Sequence, residues 1–200
     1  MHVLVAFSFV VLPLSLTPGA SSTLVMTRVL AGGRAEGVKV AVGTATGLYV
    51  HATTAAIGLA ALVMASSRAF IVLKLAGAAY LVAIGLSALM NGRSRGGRSM
   101  PWSGHGSYVQ AFLSNVLNPK AAAVYLTLLP QFLDPGKDVV PQIYALATVH
   151  VAVALTYLTL LSHVVAAAGV VLARPVWRMW TQRVTGAVLV FFGLRTAARA

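Results

Sequence analysis

Leu16-Thr17-Pro18-Gly19-Ala20 and Leu117-Asn118-Pro119-Lys120-Ala121 interrupt two apolar segments, each long enough to cross a bilayer. They lie half a chain apart in 200 residues, so each half carries one break. Leu16, Pro18 and Ala20 match Leu117, Pro119 and Ala121, and a polar residue precedes each proline. Proline has no N–H to donate, so a helix that contains it loses backbone hydrogen bonds. Lipid cannot replace them, and such a break persists only where it is buried in protein or lines a cavity. Paired breaks in two halves are the best sequence pointer to a transporter's binding site.

Composition agrees with a membrane setting. The chain is 58% hydrophobic and only 9% charged, with mean hydropathy +0.86. Soluble domains carry about 25% charged residues. At about 20 residues per span, the length fits one all-α integral membrane domain, 1–200, of roughly six transmembrane helices. Cysteine is absent, which excludes disulfides and thiolate metal sites. A net charge of +12 invites a nucleic-acid partner. Its distribution argues against one, because the basic residues fall in short gaps between apolar runs and read as topogenic charge. The first 19 residues lack Lys and Arg, so they read as an uncleaved first span rather than a signal peptide.

Six spans are expected. The first runs from Val3 to Val29 and holds the first break. A basic, Gly-rich loop from Ala31 to Gly37, ending near Lys39, leads to the second, Val40 to Met64. There Gly43 and Gly47 make a small-xxx-small face that lets another helix approach closely, with His51 one turn on. The third spans Ala69 to Met90, with Lys74 placed to snorkel. Repeat one is thus about 1–90, a polar loop occupies about 91–107, and repeat two is about 108–200. In it, span four is Tyr108 to Phe132 with the second break, and span five is Ile143 to Leu172. Span six, from Val184, is short, and a five-span chain stays open as the alternative. Trp177 and Trp180 read as an interfacial anchor.

Lys/Arg bias sets orientation. Arg28, Arg34, Lys39, Arg93, Arg95, Arg98, Arg174, Arg178 and Arg183 fall on one side, which the bias makes cytoplasmic; Arg68, Lys137, Arg195 and Arg199 fall on the other. Both termini are then extracytoplasmic. With three spans per half the second half enters from the opposite face, so the repeat is inverted.

The breaks are also where chemistry gathers. A helix restarting after Pro18 presents free N–H groups around Gly19, Ala20 and Ser21, and a helix N-terminus favours anions. The inverted partner points a second such end, after Pro119, at the same region, and Lys120 adds a full charge. Thr17, Ser21, Ser22, Asn115 and Asn118 supply neutral groups for an amine or hydroxyl. Together Thr17, Pro18, Gly19, Ser21, Asn115, Asn118, Pro119 and Lys120 form the expected site for a small zwitterion. The plainer alternative is a pair of kinks, with Asn115 and Asn118 bonding freed carbonyls. An ionised lysine in mid-membrane costs at least about 2.5–3.5 kcal/mol, and Glu36, Asp134 and Asp138 are the only acids in the chain. None falls in mid-span, so Lys120 has no evident ion-pair partner.

That scarcity excludes a cation pump or metal carrier, both of which need oxygen-rich ligand clusters. His51, His150 and His163 could carry protons, and His51 is favoured because it shares a face with Gly43 and Gly47. The sequence has no Gly-x-Ser-x-Gly, no His-Glu-x-x-His and no P-loop, so no enzyme, cofactor or ATP hydrolysis is expected.

In their order and spacing these pieces resemble the LysE/RhtB family of amino-acid exporters. The resemblance runs through Thr17-Pro18-Gly19, Gly32-Gly33-Arg34, Gly43-xxx-Gly47-xxx-His51 and Lys74-Leu75-Ala76-Gly77-Ala78-Ala79-Tyr80-Leu81. It continues in Asn115-xx-Asn118-Pro119-Lys120-Ala121 and Leu129-Pro130-Gln131-Phe132-Leu133-Asp134-Pro135. It implies an inner-membrane exporter of amino acids or close derivatives, driven by an ion gradient, with the broken helices as translocation site. Alternating access, by a rocking bundle or an elevator, is the expected mechanism, with room for a homo-oligomer; export of another small solute, or a membrane scaffold without transport, stays open as the alternative. His51 and Asp134 are then the proton-coupling candidates. Ala20 departs from a pattern in which many relatives place proline, which bears on substrate identity.

Overall fold

The computed structural model describes residues 2–17, 19–66 and 105–168, with isolated helical positions between 68 and 86 and between 183 and 198. All regular structure among the described residues is helical. Helix α1 is His2–Leu16, α2 is Ala20–Gly32 and α3 is Arg34–Ala65. Helix α4 is Ser107–Val116 and α5 is Pro119–Ala123, which runs on through a π turn at Val124–Leu128 and a 3₁₀ turn at Leu129–Phe132. Helix α6 is Val139–Ala168. Pro18 and Lys74 lie outside the described residues, as does the loop from 91 to 104. The expected third and sixth spans are represented only by isolated positions.

Among the described residues, Arg34–Leu62 and Val139–Ala167 are each long and apolar enough to cross a membrane. Helices α1 and α2 together make a third such length, bent by 52° at the first break. Large apolar side chains such as Phe9, Ile57 and Leu160 point outward. Hydrocarbon accepts them at no cost, whereas water would not.

Two boundaries differ from expectation. The loop from Ala31 to Gly37 contracts to one residue, Gly33, whose φ of +80° is open to glycine and costly to other residues. Its N–H closes α2 on the Val29 carbonyl at 2.8 Å. Helix α3 then starts at once. Glu36 sits in its first turn, where the helix dipole favours a carboxylate, and pairs with Lys39 at 2.6 Å. Helix α6 likewise starts at Val139, before Ile143, because the Asp138 carboxylate accepts the Val140 N–H at 3.0 Å and caps it.

Helix α3 is the axis of the packing, touching α2, α4 and α6. A Cβ on Gly43 would strike the Tyr108 carbonyl, and one on Gly47 would strike the Asn115 side chain. The small-residue face is therefore where α4 lies against α3. One core joins Phe7, Val10 and Leu14 of α1 to Tyr125, Leu128, Ile143 and Leu146. A second joins Val25, Val40, Ala111 and Leu158. At one end Arg28 donates from Nε and Nη2 to the Gln110 Oε1 at 2.9 and 2.7 Å. It also reaches the His105 carbonyl at 2.8 Å, and Ser107 donates to Glu36 at 2.5 Å. These contacts place the turn after α2 beside the start of α4.

Candidate functional site

Each proline orphans one carbonyl, and the positions follow from helix geometry. Residue 18 would have donated to the Leu14 carbonyl and residue 119 to the Asn115 carbonyl. Both oxygens find other donors. Lys120 Nζ, from the second break, donates to the Leu14 carbonyl at 3.0 Å. His51 Nε2, from α3, bonds the Asn115 carbonyl at 3.0 Å, and the Asn118 N–H shares that oxygen at 2.9 Å. A carbonyl only accepts, so the His51 Nε2 carries the proton. The lysine that had no visible partner in the sequence thus caps the wound left by the other proline.

The two helix starts are unequal. Gly19 precedes α2 in an extended conformation, at φ −140°, and no side chain caps the helix. Its first N–H groups therefore lack side-chain acceptors. At α5 the Asn118 Oδ1 accepts the Lys120 N–H at 2.9 Å, so this start is already capped. Thr17 turns back from the first break, its hydroxyl donating to the Pro13 carbonyl at 2.9 Å.

Between the breaks lies a cavity of about 90 Å³. Thr17, Gly19 and Ser21 line it from the first break, and Asn115, Asn118 and Lys120 from the second. Pro119 opens α5. A water needs about 10–15 Å³ of such space, so the cavity suits a solute of few heavy atoms. Lys120 is the one charged residue of the described lining, which includes no carboxylate.

The proton-coupling candidates lie elsewhere. His51 is behind the wall, stacked on Tyr125 with centroids 5.9 Å apart. Asp134 sits exposed in the turn before α6. There the Lys137 ammonium at 3.0 Å and the Gly136 N–H hold its carboxyl below the usual carboxylate range.

Ser15, Thr44, Tyr157 and His150 also line the cavity and were not among the expected site residues, His150 having been named only as a proton carrier. Thr44 of α3 donates to the Ser21 hydroxyl at 3.2 Å. Tyr157 of α6 meets the Ser22 hydroxyl at 3.4 Å. His150, two turns before Tyr157 on the same stripe of α6, also stacks on Tyr125, with centroids 5.8 Å apart. His150 and Tyr157, two polar rings on one stripe of α6, were the available signal.

The family model for the LysE type translocator matches residues 12–199. An uncharacterised membrane protein of Bacillus subtilis, YrhP, is 30% identical over 98% of this chain and 99% of its own. A membrane protein of Vibrio cholerae is 31% identical over 76% of each chain. The homoserine/homoserine lactone efflux protein of Salmonella typhimurium is 31% identical over 73% of this chain and 72% of its own. No solved structure matches.

Proposed function

The chain belongs to the LysE-type translocator family, a family of transporters, and from that premise we propose a secondary-active exporter of amino acids or close derivatives. The observation that carries this reading is the Lys120 ammonium held on the Leu14 carbonyl beside a cavity lined by both breaks. A substrate carboxylate entering the cavity meets that ammonium and the uncapped start of α2. A carboxylate carries a full negative charge, and it attracts an ammonium more strongly than a neutral carbonyl does. The carboxylate therefore draws Lys120 off Leu14 and frees the end of α1. Bound and empty cavities then favour different arrangements of the first broken helix, which alternating access requires. Thr17, Ser21, Asn115 and Asn118 offer neutral partners to the rest of the solute.

Six spans in two inverted repeats, both termini outside the inner membrane and drive from a proton gradient complete the proposal. His51 is the better placed coupling group, since its ring holds the Asn115 carbonyl at the second break. Asp134, ionised near neutrality, has no proton to exchange there.

The test is efflux from vesicles preloaded with a panel of labelled amino acids, homoserine and homoserine lactone, with and without a proton gradient. Gradient-dependent export of amino acids is expected. The lactone, which lacks a free carboxylate for Lys120, is expected to leave more slowly. Equal retention of every solute with and without the protein would overturn the reading. For topology, a reporter fused after Ala200 is expected to be active only outside the cytoplasm; a cytoplasmic signal would favour five spans.

A further inference from the structure

The cavity has a charged pole at Lys120, and a zwitterion bound there turns its ammonium away from that pole. Three residues of the lining carry a buried side-chain atom without a hydrogen-bond partner: Ser15 Oγ, Asn115 Oδ1 and His150 Nδ1. The Asn115 oxygen lies against Gly47, where an added Cβ would collide with it, so it is turned toward α3. Ser15 carries a hydroxyl that can donate as well as accept. His150 is different. Its residue is only 7% exposed, its ring stacks on Tyr125 with centroids 5.8 Å apart, and α6 brings it to the cavity from a different element than Lys120. A neutral imidazole always has one bare nitrogen that accepts. A buried acceptor left bare is costly until something supplies a donor.

We infer that His150 is the specificity-determining residue for the substrate's amino group, its imidazole accepting from the ammonium while Lys120 takes the carboxylate. The inference rests on the transport reading above and narrows it. The site takes small α-amino acids with both groups free, and rejects the analogue that lacks the amine. Binding sites built to hydrogen-bond a polar group discriminate strongly against a ligand missing it, because the buried protein group is then unpaired.

The probe pair is homoserine and γ-hydroxybutyrate, which differ by the amino group alone. Both are loaded in vesicles carrying the full-length protein, and initial efflux rates are compared. Wild type is expected to export homoserine at least about tenfold faster, the worth of one hydrogen bond to a charged group. His150→Leu is expected to bring the ratio to within about twofold of one, and His150→Gln, which keeps an acceptor oxygen, to hold it in between. His150→Ala replaces His150→Leu if the latter does not insert. A wild-type ratio near one overturns the inference with no variant needed. So does an unchanged ratio in the Leu or Ala variant, since a merely structural histidine would slow both solutes alike. The broader reading fails separately, if wild type exports no amino acid of the panel.

Discussion

The two proline breaks look alike in sequence and are built differently. At the first, two helices that together make one span meet at 52°, the second of them starts without a side-chain cap, and the orphaned Leu14 carbonyl depends on a lysine from the other half of the chain. At the second, Asn118 caps the new helix, and the Asn115 carbonyl has two donors, His51 and the Asn118 N–H. At the first break the Leu14 carbonyl thus relies on a contact from the other half of the chain, and the start of α2 has no side-chain cap. The second is closed by local bonds and a neighbour's ring. Matched sequence therefore gives one break that leans on the other half of the chain and one closed by its own cap and a neighbour's ring.

Removing the charge attacks this difference most directly. Lys120→Met is expected to cut amino-acid efflux by roughly 10–100-fold, the effect of about 1.5–3 kcal/mol from one charge-assisted bond, with membrane insertion unchanged by immunoblot. Retained efflux would leave the first break without its latch. Crowding the second break comes next. Gly47→Ala drives a Cβ into the Asn115 side chain, and overpacking of this kind costs about 1–3 kcal/mol. The melting temperature of the purified protein is expected to fall by roughly 2–10 °C. Gly58→Ala, with open space at that position, is the control and should not fall.

His51→Phe keeps a ring against Tyr125 and removes the donor to Asn115. Because the Asn118 N–H remains, the expected loss of stability is about 1 kcal/mol, read as a fall of roughly 2–4 °C in the melting temperature of the purified protein. A fall larger than that from Gly47→Ala would mean that the second break hangs on His51 alone and would erase the contrast between the breaks. The smallest effect is expected at Asp134. Its carboxyl is held low by Lys137 and Gly136, so the stability it contributes is present above the ordinary carboxylate range and lost as pH falls through its lowered value. Asp134→Asn should leave the pH dependence of efflux around neutrality unchanged; a shifted profile would return Asp134 to the coupling role.

Much of the frame was legible. Apolar runs marked α3 and α6, the prolines marked both breaks, and Gly43 and Gly47 marked the face that α4 covers. What escaped was pairing at long range. Lys120 looked unpartnered because partners were sought among acids, whereas a proline-freed carbonyl is a neutral acceptor that composition does not reveal. His150 was passed over for His51 since a neighbouring small-residue face is a local signal, and a position beside a cavity is not. The helical start at Arg34 was masked by Gly32, Gly33 and Gly37, which together read as a loop. Only Gly33 breaks the chain; Gly37 lies within α3, and its bare Cα admits Ser162 and Val29.

The π turn at Val124–Leu128 has a practical consequence. Such a turn fits one residue more than an α-helix does, so a helical wheel drawn straight from Pro119 to Phe132 slips by about 100° partway along. Leu128, Leu129 and Pro130 are consecutive and all buried, which no single stripe would produce. Grafting this segment onto another scaffold, or aligning it to one by fixed heptads, has to carry the surplus residue along or every side chain beyond it will face the wrong way.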